Sequence, residues 1–279
     1  MLLINIDITL KRSGILLIIF LPLLASAQSS TLLPKLLSTS KGSNVVAADL
    51  RLQEFEHGLK KKTYSSDYQF LQLVFSKTQQ KFLKHFSQYP DLNEVFVAGK
   101  YDCLTATSLF SIILSDLNFQ YRVIETNYHI FLVVQTMQGD VLIETTDRYN
   151  GFVSGKKEIE KRLSSYRQNN ISPTLTASSR VYHTYHFSLY QDVDPDQLAG
   201  LLYYNQAVRA FNKKEFINAA DLLDNAKAIY ESPRVAELAV ILVDAALESN
   251  LNETSKRLIL ERYKTYWEQR SRLMAANSR

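Results

Sequence analysis

Apolar residues recur at helical spacing along most of the chain and switch to strand-like runs only near its middle. Helical periodicity marks residues 47–60 and 66–86. In the second stretch Tyr68, Leu71, Phe75, Phe82 and Phe86 fall at three-, four- and seven-residue intervals. Pro90 interrupts the pattern. Residues 103–117, "CLTATSLFSIILSDL", are apolar or small on every side and read as a buried helix. Short strand-like runs follow at 121–126, 128–136, 141–146 and 181–190, with a charged helical piece over 155–167 between the last two. From about 196 onward the pattern is helical only. Residues 28–45 are rich in Ser and Thr, carry little pattern and read as a flexible lead-in. Helices, then strands, then helices predict an α+β domain over 28–195 followed by an all-α region over 196–279.

That last region contains a repeat-like pair. Ala210 and Phe211 belong to one helix, Ala219, Leu223 and Ala226 to the next, and a short polar turn from Asn212 to Glu215 joins them. Small residues recur where two helices must approach closely, and aromatics fill the remaining space. The pair resembles one tetratricopeptide-type unit without its usual turn glycine; a helical bundle capping the first domain fits the same residues. Residues 234–248 and 253–270 form a second, degenerate pair. A small docking face for a protein partner is the expected use.

Composition adds a compartment. Residues 1–27 read as a secretory signal peptide: Lys11 and Arg12 form a basic head, Gly14 to Leu24 an apolar run shorter than the ~20 residues a membrane span needs, and Ala25-Ser26-Ala27 a cleavage site. The mature chain is then expected to be secreted or periplasmic, with no membrane association. A net charge of +4, dispersed along the chain, does not point to nucleic acid. The 16 tyrosines and 14 phenylalanines are ample for a real core.

The chain has one cysteine, Cys103, so no intrachain disulfide is possible. A lone exported thiol is either buried or used. Asp102 is a good N-cap, which makes Cys103 the first helical residue, at the positive end of the helix macrodipole where the thiolate is favoured. A thiolate nucleophile needs a base, and five histidines are available. His57 and His85 sit among charged helical residues. His183 and His186 lie three apart in a strand-like run, on opposite faces, which is poor geometry for a metal. His129 begins the otherwise apolar "HIFLVV". A hairpin turn at Gly139 then selects a carboxylate by register. A three-residue loop over 137–139 sets Asp147 opposite His129, a loop over 138–140 keeps Asp147 diagonal on the same face, and a two-residue 138–139 turn brings Glu144 onto that face. Asp147 also begins "DRYNG", which reads as a turn. No cofactor and no metal are expected.

Three segments, "YDCLTATSLFSIILSDLNF", "ETNYHIFLVV" and "VLIETTDRYNGF", resemble the transglutaminase-like branch of the papain-like cysteine enzymes. The resemblance implies a buried cysteine helix packed on an antiparallel sheet, and with the helical region it is similar to bacterial exported members. It also implies a triad in which Cys103 attacks a carbonyl, His129 activates the thiol and protonates the leaving amine, and Asp147 fixes the imidazole tautomer. Members whose acid opens an Asp-x-Thr motif would select Glu144 of "ETT" instead. The backbone N–H of Cys103 would serve the oxyanion. The expected substrate is a protein or peptide amide, with water as acceptor in a peptidase or amidase and an amine as acceptor in a transglutaminase. A catalytically inactive scaffold that binds a partner through the helical repeat is the other expectation.

Overall fold

Five antiparallel strands form the central sheet, in the order β6-β5-β4-β3-β7: β3 (Tyr121–Thr126), β4 (Ile130–Val134), β5 (Val141–Ile143), β6 (Phe152–Ser154) and β7 (Tyr190–Val193). The computed structural model describes residues 31–61, 63–127, 129–168 and 189–277. The signal-peptide reading over 1–27, most of the strand expected over 181–190, and His183 and His186 lie outside those residues. Among the described residues no helix is long and apolar enough to cross a membrane.

One sheet face carries the main core. Val123, Ile130, Leu132, Val134, Val141 and Ile143 pack there beneath α5 (Cys103–Asp116), whose apolar residues are buried on every side. Around α5 lie α1 (Leu32–Leu37), α2 (Val45–Lys60), α3 (Asp67–Lys81) and α4 (Leu92–Ala98). The other face is smaller. Ile124, Phe131, Val133 and Leu142 are covered there by Ile159 and Leu163 of α6 (Lys156–Gln168).

Three expectations are corrected. The lead-in over 28–45 contains α1, whose Leu32, Leu33, Leu36 and Leu37 are all buried; fully burying each such side chain is worth roughly 1.5–3 kcal/mol. Pro34 sits in its first turn, where a missing N–H costs nothing. The helix over 66–86 ends at Lys81, because the N–H groups of Lys84 and His85 both donate to the Gly99 carbonyl. His85–Phe86 (β1) then pairs in parallel with Lys100–Tyr101 (β2), and Phe86 is exposed. The strand over 141–146 stops at Ile143, and the chain turns at once.

Beyond a short 3-10 turn at Pro195–Gln197 come α7 (Leu198–Asn212), α8 (Phe216–Ile229), α9 (Pro233–Glu248) and α10 (Glu253–Asn277). The start of α7 belongs to the main core through Leu198, Ala199, Leu201 and Leu202, while its Ala207 and Ala210 join a second core with α8, α9 and α10. The α7–α8 turn closes as a Schellman motif. Lys214 N–H donates to the Phe211 carbonyl at 2.8 Å and Glu215 N–H to that of Ala210 at 3.0 Å. The left-handed position falls on Lys214, with φ 63°, where a Cβ is strained. Lys214→Gly is therefore expected to raise stability by about 0.5–1 kcal/mol, read as a higher thermal midpoint by circular dichroism.

Candidate active site

The first turn of α5 sets the site. Asp102 has extended backbone, and its Oδ1 accepts from the Thr105 N–H at 2.8 Å while the Thr105 hydroxyl accepts from the Asp102 N–H at 2.9 Å. This reciprocal cap makes Cys103 the first helical residue, half-buried at the positive helix end. Asn205 of α7 donates to the second Asp102 oxygen at 2.8 Å. Two threonine hydroxyls fasten the helix end to the sheet. Thr107 Oγ1 donates to the Ile130 carbonyl at 3.3 Å and meets Thr145 Oγ1 at 3.3 Å, and Thr145 Oγ1 reaches the Cys103 carbonyl at 3.5 Å.

His129 stands at the end of the β3–β4 turn. The turn is closed by the Thr126 N–H donating to the His129 carbonyl at 2.7 Å and the His129 N–H donating to the Thr126 hydroxyl at 3.1 Å. A second anchor comes from α9. Arg234 donates to the Thr126 carbonyl and pairs through Nε with the buried Glu125 at 2.8 Å, whose other oxygen accepts from the Tyr230 hydroxyl at 2.6 Å.

The β4–β5 hairpin decides the acid. Leu132 pairs with Ile143, Val133 with Leu142 and Val134 with Val141, and Thr136 and Gly139 exchange backbone hydrogen bonds around a two-residue Met137-Gln138 turn. None of the three registers anticipated from the sequence has this turn. One step along the same ladder sets Glu144 beside Phe131, on the strand face that His129 shares. Glu144 Oε2 bonds His129 Nε2 directly. The Cys103 thiol also acts on the imidazole, through hydrogen bonding and charge that raise its pKa.

Asp147 is corrected accordingly. Its Oδ1 accepts from the N–H groups of Tyr149 at 3.2 Å and Asn150 at 2.9 Å, so it shapes the turn that follows β5 and leaves the imidazole to Glu144. The turn closes where the Glu144 N–H donates to the Gly151 carbonyl at 2.7 Å. A Cβ at Gly151 would lie 2.2 Å from the carbonyl oxygens of both Glu144 and Asp147, so only glycine fits.

Glu144 is satisfied on both oxygens. Oε1 accepts from the Thr146 N–H at 3.2 Å and hydroxyl at 2.8 Å, and Oε2 accepts from the Tyr166 hydroxyl at 2.8 Å as well as from His129. Burial pushes this carboxyl up, but its bonds to His129, Thr146 and Tyr166 outweigh burial and lower its pKa to about 2. Burial likewise pulls the imidazole down, and hydrogen bonding to Cys103 and Glu144 overrides it, raising His129 to about 10. Tyr166, on α6, went unnoticed in the sequence. Its signal is the spacing Ile159, Leu163, Tyr166, which puts a phenol on the apolar face of an otherwise charged helix. His57 and His85 are exposed and take no part. Among the described residues no three His, Cys, Asp or Glu side chains gather as a metal ion requires. Comparison with protein-family models, curated proteins and solved structures finds no match.

The pair couples stability to pH. His129 keeps its proton to higher pH when folded, so its contribution is complete below 6.5 and lost as pH rises through about 10. Glu144 keeps its charge to lower pH when folded, so its contribution is complete above 4.5 and lost as pH falls through about 2. The urea-unfolding gap between wild type and Glu144→Gln is expected to reach about 2 kcal/mol. That gap should be widest between pH 4.5 and 6.5 and should narrow on either side. Gly151→Ala is expected to destabilise by about 2–4 kcal/mol, because the carbonyls it meets are backbone and cannot step aside; thermal melting checks it.

Proposed function

We propose that this protein is an exported cysteine acyl-transfer enzyme acting on peptide or protein amides, of the transglutaminase-like kind. One observation carries the reading. A half-buried imidazole bonds a carboxylate through Nε2 and interacts with the thiol of Cys103, which opens the central helix. Thiol, imidazole and carboxylate in that order are what nucleophilic catalysis at a carbonyl needs. Glu144 holds the ring in one tautomer and offsets the charge of the imidazolium.

In this mechanism the Cys103 thiol passes its proton to His129 and the sulfur attacks the amide carbon, so that a C–S bond forms as the carbonyl double bond opens to an oxyanion. The oxyanion faces the helix N-terminus, where the Cys103 N–H is a donor. His129 gives its proton to the nitrogen as the C–N bond breaks, and the amine leaves. The thioester is then attacked by water or by a second amine. His129 takes the acceptor's proton and returns it to sulfur as the C–S bond breaks. An acid or a new amide is released.

An activated aryl ester tests this without knowledge of the natural substrate. The wild type should show a burst of phenolate and an acyl adduct on Cys103 by intact mass, and Cys103→Ala should show neither. Glu144→Gln should slow the burst about 100-fold or more. Asp147→Asn, whose amide oxygen can still accept from Tyr149 and Asn150, should stay within about twofold. Equal turnover by wild type and Cys103→Ala, with no adduct, would overturn the proposal.

A further inference from the structure

We infer that Tyr166 is a positioning residue of this site, acting on the acid and the ring at once; the inference rests on the acyl-transfer reading above. Three observations carry it. The Tyr166 hydroxyl donates at 2.8 Å to Oε2 of Glu144, the same oxygen that bonds His129 Nε2. Its ring lies with centroids 4.8 Å from Phe131 and 5.7 Å from His129, so it walls the imidazole on the side of α6. It stands on α6, which covers this sheet face and is docked there by Ile159 and Leu163.

The consequences follow from sharing one oxygen. With the phenol bonded to it, Oε2 has less electron density to offer the imidazolium, and the hold of Glu144 on His129 is moderated. The phenol is a dependable donor here. Burial and the neighbouring Glu144 charge both push its pKa up, against a smaller opposing effect from Arg162 one turn earlier on α6. The groups that face the imidazole are therefore Cys103 from α5, Glu144 from the end of β5 and Tyr166 from α6. Removing the hydroxyl alone leaves the two Thr146 donors to hold Glu144 in place, so the carboxylate stays and grips the imidazolium harder. Removing the ring as well frees the imidazole to tilt.

Alkylation by iodoacetate measures this, because Cys103 is the only thiol in the chain. The reagent is an anion drawn to the imidazolium, so its rate falls as His129 loses its proton, and the alkaline limb of the pH–rate profile reports that ring. Tyr166→Phe is expected to move the limb up by about half a pH unit. It should also slow the aryl-ester kcat about fivefold, the rate equivalent of one ordinary hydrogen bond, with KM unchanged. Tyr166→Leu should lose considerably more rate, and the phenylalanine variant should recover part of it. Melting curves for both variants separate these effects from loss of folded protein. A Tyr166→Phe profile superimposable on the wild type, or a rate loss that tracks the melting shift while the limb stays put, would overturn the inference. A wild type with no alkaline limb, matched by His129→Ala, would instead overturn the acyl-transfer reading.

Discussion

Glu144 is withdrawn from water at the end of β5, with its side chain 6% exposed, and a charge so placed is tolerated only when its lone pairs are filled. His129 and Tyr166 fill one oxygen, and the backbone and hydroxyl of Thr146 fill the other. These donors come from separate places: the β3–β4 turn, α6, and the turn after β5. The carboxylate thereby makes the sheet end, the covering helix and the hairpin answer to one geometry. The Asp147 carboxylate and Gly151 serve it indirectly, because together they shape the tight return that aims Glu144 back at the imidazole.

Much of this was legible from residue pattern. The buried cysteine helix, the strand over 121–126 and the run of C-terminal helices stand out because their apolar spacing agrees with their local propensities. Asp102 as a cap and His129 just ahead of an apolar strand were readable for the same reason. The acid was not, because the identity of a cross-strand neighbour depends on turn length, and a slip of one residue flips every side chain. Gly139 drew the loop towards itself, whereas the turn sits on Met137-Gln138 and glycine takes the position after it, with φ 111°. Helix α1 was hidden for another reason. Six residues carry too little periodicity to register, and its leucines are ordered by packing against other helices, from neighbouring α2 to distant α5 and α7.

The C-terminal helices are more intimate with the site than a remote docking module would be. Arg234 reaches from the start of α9 to the Thr126 carbonyl in the turn that ends at His129, and it pairs with a glutamate that is 2% exposed. Tyr230 completes that cluster from the end of α8. The imidazole is therefore held from below by the sheet, from one side by α6, and through its own turn by α9.

Helix α7 is built into both cores, its first two turns among the leucines around α5 and its later alanines among α8, α9 and α10. α7 runs unbroken between the halves, and a rod shared by two packed bodies cannot release one without disturbing the other. The chain should thus melt as a single cooperative unit, and a protease cut between α7 and α8 would leave the sheet-bearing half carrying an uncovered seam of small apolar residues.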